Sequence, residues 1–449
     1  MAPAGPSPRQ NLNPPQPAPE ARTTSWRQIL VLMAASFMAY FSMYAFRKPI
    51  NATEFAGLSL GGSGVDLKTA LLVGQLVGYA LSKYLGIVVC SSVSREAQGR
   101  TLVALVVTAE AALLAFAVAP GGWKVAAMFV NGLPLGMVWG LVVRYLEGRR
   151  ASEPLLAFLS ISYIVASGVM KDVGLWVMHG RGVPEVWMPA VVGALFLAPF
   201  VVSVRVLEST AEPDALDRAE RVPRREMTGR ERTAFLRRYG VGLTPLIAMF
   251  FFLTAYRDFR DNYGVEIFGA LGYTGVPGLF VRSELPAAAA VMGALAALGL
   301  VRSNRRGLMA VYALMVAGLA VVGASTLLFR AGGSSGMTWM VAVGVGSYLA
   351  YVPVGAVLFD RFVAAGGTAG TAVFGIYVAD AVGYTGSVLV QLYRDLAQGG
   401  TTRLAFFETF SLHLAGWGSL LLVLSALLVW RALPRGDAVR DRVTSEEPA

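Results

Sequence analysis

Apolar residues in this chain come in blocks of roughly 20, separated by short polar stretches and without alternation of apolar and polar positions. That block length is what a helix needs to cross a bilayer, and uninterrupted apolar runs select helices over barrel strands, the only other structure that satisfies its backbone in lipid. The pattern predicts twelve spans, at about 28–46, 68–90, 101–119, 125–145, 155–178, 187–207, 241–262, 284–302, 307–329, 337–359, 369–393 and 405–431. The expected fold class is an all-α membrane protein of twelve transmembrane helices in two pseudo-symmetric six-helix halves. Between the sixth and seventh spans lies the longest polar segment, 208–240, which reads as a linker. The expected organisation is thus a disordered tail over 1–25, halves over 26–207 and 241–432, and a second tail over 433–449. The first tail lacks the apolar stretch of a cleavable signal.

Composition agrees: 55% of the 449 residues are hydrophobic and 15% charged, against about 25% charged in a soluble domain. One cysteine excludes an intrachain disulfide or a thiolate cluster, and two distant histidines offer no metal site. No metal or cofactor is expected. The net charge of +10 does not point to nucleic acid, because the basic residues alternate from loop to loop along the chain. By the positive-inside rule they put both termini and the central linker in the cytoplasm; the expected location is a bacterial inner membrane. The Gly-rich stretches "GGSG" and "GGTAG" lack the Lys-Ser/Thr of a phosphate-binding loop, so ATP is not an expected energy source. No catalytic constellation is present, and an enzyme is not expected.

Charges that remain inside spans carry the functional information, because each is costly unless it meets a cavity or a partner. Arg47 and Lys48 close the first span in "YFSMYAFRKP"; the seventh ends in "AYRDFRDNYG", with Arg257, Arg260 and Asp261. Phe46-Arg47 and Phe55 recur as Phe259-Arg260 and Phe268 at an offset of 213 residues, and Tyr163 recurs as Tyr377 at 214. This supports a duplication in which Arg47 has its mate in Arg260 or, one turn earlier, Arg257. Guanidinium forks match phosphate or carboxylate, so Arg47 and Arg257 are candidate substrate-binding residues. Tyr163 and Tyr377 join them, and Tyr40, Tyr44, Tyr79 and Tyr384 could line the same cavity. Lys83 lies well inside the second span, as a substrate contact or a gating residue, and Asp380 in "GIYVADAVGYTG" is the best proton carrier. Arg260 and Asp261 are candidate coupling or gating residues. Glu110 reads as a hydrogen-bonded structural acid. In the adjacent pair Lys171-Asp172 at least one member must find a partner elsewhere. Lys48, about 100° round the helix from Arg47, is expected to matter less.

At this point the sequence resembles the major facilitator superfamily over all twelve spans. It is most similar to its organophosphate:phosphate antiporter branch, through "YFSMYAFRKP", "GYALSKYLG" followed by "SSVSREAQGR", and "GMVWG" (Gly136, Met137, Trp139). It also resembles an uncharacterised bacterial membrane family that shares the "YAFRKP" and "RDNY" stretches. The resemblance implies that Arg47 and Arg257 hold phosphate, and that Lys83 matches a second-span lysine of the branch. It further implies that spans two and eleven meet across the halves, which would let Lys83 pair with Asp380 as a gate. The expectation is a monomeric secondary transporter that moves a small anionic solute, an organophosphate or carboxylate, by exchange or proton coupling. A transporter-like sensor of such a solute, or a flippase acting on membrane lipid, are the alternatives.

Overall fold

A computed structural model describes residues 26–61, 64–146, 152–210, 229–366 and 371–433. Among them twelve long helices run close to the predicted spans: α1 Trp26–Phe46, α2 Leu67–Ser92, α3 Arg95–Val118, α4 Trp123–Leu146, α5 Ser152–Leu175, α6 Met188–Ser209, α7 Gly229–Asn262, α8 Leu279–Gly299, α9 Asn304–Arg330, α10 Gly336–Gly366, α11 Thr371–Ala397 and α12 Arg403–Ala432. Ten of the described helices are long and apolar enough to cross a membrane. The other two of the twelve, α2 and α11, carry Lys68, Gln75 and Lys83, and Asp380, Gln391, Arg394 and Asp395. The chain is a multi-pass membrane protein.

The helices form two six-helix groups. In the first, α1 packs on α5 and α6, and α2 on α4; in the second, α7 packs on α11 and α12, and α10 on α8 and α9. The groups meet where α5 crosses α8 and α2 crosses α11. One boundary differs from the sequence reading. Helix α7 starts at Gly229, inside the segment read as a linker, because Phe235 and Tyr239 bury their rings against Phe362 at the end of α10 (centroids 5.8 and 4.9 Å).

Lipid offers no hydrophobic drive between helices, so close packing must supply it, and small residues allow that packing. At the α2–α4 crossing, Gly74 and Gly78 lie against Val125 and Phe129 of α4, and Gly132 and Gly136 against Gln75 and Ser82 of α2. A Cβ at Gly132 would lie 2.1 Å from the Gln75 carbonyl oxygen, and one at Gly78 equally close to that of Phe129. Neither backbone can retreat without separating the helices. Gly132→Leu is expected to abolish the monodisperse peak in size-exclusion chromatography. Gly122→Ala, whose new Cβ would find its nearest neighbour at 3.9 Å, should leave it unchanged.

Candidate functional site

Helix α1 does not run straight through. After Met43 it tightens to a 3₁₀ turn over Tyr44–Phe46, and a second 3₁₀ turn follows at Pro49–Ala52. Pro49 has no N–H to continue an α-helix. Carbonyls freed at such a break must be satisfied by side chains. Asn131 of α4 donates to the Phe46 carbonyl (3.1 Å), Gln75 of α2 donates to that of Arg47 (3.2 Å), and Gln75 also donates to Asn131 Oδ1 (2.7 Å). The break is therefore rigid, and it turns Arg47 and Lys48 into the protein interior, where both are buried. Helix α7 breaks at the corresponding place: it ends at Asn262, and a short helix Gly264–Ala270 follows.

The guanidinium of Arg47 lies over the Tyr79 ring, 3.8 Å from its centroid, and makes no hydrogen bond to a described residue. Arg257 lies over Tyr351 at 3.9 Å and donates one N–H to its neighbour Asp258 (2.7 Å). A guanidinium stacked on an aromatic face is oriented but keeps its fork available. Tyr79 meets Tyr384 across the halves, edge to face at 5.5 Å; Tyr40 meets Tyr44 and Trp139, and Trp139 meets Tyr163. Lys83 lies 5.0 Å from the Tyr79 ring centroid. Asp380 is within electrostatic reach of Lys83 and Arg257, yet it forms no ion pair with either. In this state Lys83 and Asp380 are neighbours rather than a closed pair. Three cations here face two carboxylates, Asp258 and Asp380, which leaves one positive charge for a ligand to meet.

Of the residues expected to bind substrate or to gate, Arg47, Arg257, Lys83, Asp380 and Tyr163 lie at this seam. The side chain of Tyr377 lies outside the described residues. Tyr351 and Trp139 were not read as site residues; single aromatics in apolar runs give no signal of their own. Arg260, one of the two expected mates of Arg47, is engaged inside its own half. It pairs with Glu284 of α8 (2.7 Å) and donates to the Met340 carbonyl of α10 (3.0 Å). Glu110 is buried, but its Oε2 has no hydrogen-bond partner among the described residues, contrary to the structural acid expected.

Where α1 and α7 end, the halves are locked together. The Asp261 carboxylate takes Lys48 on one oxygen, and Lys171 (2.7 Å) and Ser167 on the other. Asn51 bonds Asn262, which bonds Gln391; Thr69 bonds Tyr263. Lys68 pairs with Glu266 at 2.8 Å, and Asp66 takes Arg403 at 2.6 Å. Asp172 accepts the free N–H groups of Phe280 and Val281 at the start of α8. Lys171 and Asp172 thus both find partners across the halves. The same offset of 213 that aligns Phe46-Arg47 with Phe259-Arg260 also aligns Lys48 with Asp261, so the lock joins repeat mates.

Twelve helices in two groups around a charged, tyrosine-lined seam define an all-α membrane protein of the major facilitator fold. Solved structures share it. A D-xylose–proton symporter superposes with a TM-score of 0.59 at 14% identity, covering 90% of this chain and 97% of its own. A peptide transporter in complex with alafosfalin gives 0.60 at 15%, covering 91% and 96%, and the nucleoside transporter NupG 0.59 at 12%, covering 89% and 98%. The chain belongs to DUF5690, a family of unknown function, which it matches over residues 49–431. No curated protein matches it.

Proposed function

We propose that this protein is a secondary transporter that moves a small anionic solute, a phosphate ester or a carboxylate, across the inner membrane by alternating access. One observation carries the reading: Arg47 and Arg257 come from opposite halves, stack on Tyr79 and Tyr351, and keep donors unengaged at the seam. An anion held by both would tie its binding to the relative position of the halves. Under the orientation suggested by the basic loops, the locked end is the outer face, so the solute would leave or enter from the cytoplasm in this state. Asp380, beside Lys83 and Arg257 without an ion-pair partner, is then the group on which a proton would exchange with the solute. The named neighbours support this reading by their kind: a sugar–proton symporter, a peptide transporter and a nucleoside transporter. A cavity of about 470 Å³ among Met249, Phe252, Tyr393, Phe406, Phe410 and Trp417 has walls from the second half alone, which does not favour a lipid path through the seam.

Purified protein screened by thermal shift against phosphate esters, carboxylates and zwitterions should melt higher with one anionic class, because a ligand of the native state stabilises it. Sealed proteoliposomes should then take up that compound. Stabilisation without uptake would support a sensor instead; stabilisation by neutral solutes alone would defeat the anion reading.

A further inference from the structure

The lock at Asp261 has the composition of a ligand site. Lys48 follows the break in α1, while Ser167 and Lys171 lie one turn apart on α5, so all three donors belong to the first half. Their exposures are 7%, 2% and 1%. Lys171 is further held over the Phe280 ring at 4.6 Å. Both oxygens of the carboxylate are engaged, and two ammonium groups serve one carboxylate, which leaves an excess positive charge even when the site is full. The occupant comes from the other half, at the end of α7. If the halves part, the donors stay with the first half and the carboxylate leaves with the second.

We propose that Lys48, Lys171 and Ser167 form a second anion site, built for a single carboxylate-sized oxyanion and filled in this state by Asp261 as an internal stand-in. Two buried ammonium groups cannot remain unpaired without large cost. When the lock opens, Lys48 and Lys171 are left without the carboxylate between them, and an external carboxylate takes the place of Asp261. Lys48 adjoins Arg47 in sequence, so an anion displaced by the returning Asp261 has its next cation one residue away. This entry role rests on the transport reading above; the existence of the site does not.

Asp261→Ala tests it, as full-length protein in detergent. In sodium chloride the variant should melt well below wild type. Sodium formate at equal ionic strength should raise its melting temperature saturably, and acetate less, because the vacated space admits one carboxylate and little more. Wild type should not respond. Asp261→Ala combined with Lys171→Met should lose the response. If Asp261→Ala survives purification only in formate and unfolds on exchange into chloride, that is the same result. Failure to fold in either anion, no formate-specific rise, or an undiminished rise in the double variant overturns the proposal. Rescue by formate without uptake by wild-type proteoliposomes upholds the site and removes only the transport reading. Uptake without rescue does the reverse.

Discussion

Arg260→Met is expected to destabilise the protein by about 3–5 kcal/mol, the cost of leaving one member of a buried ion pair without its partner. Arg260 and Glu284 each have side chains only 3% exposed, and their contact is made inside the second half, between α7 and α8. Gly344 of α10 leaves room for the guanidinium: a Cβ there would lie 2.6 Å from its Nη2. Glu284→Leu should cost a similar amount. Combining Arg260→Met with Glu284→Leu should recover most of the loss, because two well-packed apolar side chains replace a desolvated pair at little net cost. Thermal melts of the three variants in detergent measure this. A double variant as unstable as the sum of the singles would mean that the two residues do not act as a unit. Ligand stabilisation of the double variant should survive, since neither residue is bonded to Arg47 or Arg257.

Arg47→Lys should show the opposite pattern, an intact melt with weakened ligand binding. Lysine keeps the charge but loses the fork and the flat face that stacks on Tyr79. Losing a hydrogen bond to a charged group costs about 1.5–3 kcal/mol, roughly ten- to more than a hundredfold in affinity. Arg257→Lys should behave alike, tempered by its bond to Asp258. Lys48→Ala, in contrast, should lower the melt, because Asp261 loses one of its two cations in a buried site. Binding by Arg47→Lys equal to wild type would show that the guanidinium does not touch the solute.

The helices were legible because lipid permits few alternatives: a block of about 20 apolar residues has to be a span. Arg47 was legible for the same reason, since a cation within such a block needs a cavity or a partner. Lys48 was not. Placing it 100° away from Arg47 assumed that the α-helix continues, whereas α1 tightens at Tyr44 and breaks ahead of Pro49, so the helical wheel no longer applies. The choice of Arg257 over Arg260 as a substrate contact came from the family resemblance and not from the spacing. Spacing favoured Arg260 as the mate of Arg47, but Glu284 and the Met340 carbonyl draw it into its own half, and Arg257 one turn earlier meets the seam instead. Pairing between distant segments is a property of packing, and the local sequence around Arg260 carries no record of Glu284.

Lys48 and Asp261 stand at the 213-residue offset that relates Phe46-Arg47 to Phe259-Arg260, and they touch one another. Only a position on the two-fold axis relating the copies can meet its own counterpart. Had both copies kept lysine, two like charges would confront each other in a buried contact; had both kept aspartate, the same would hold. An assembly of two identical six-helix subunits could never have made this bond. The lock therefore requires the two halves to differ at this position. A chimera that joins two first halves would set Lys48 against Lys48 and could not close.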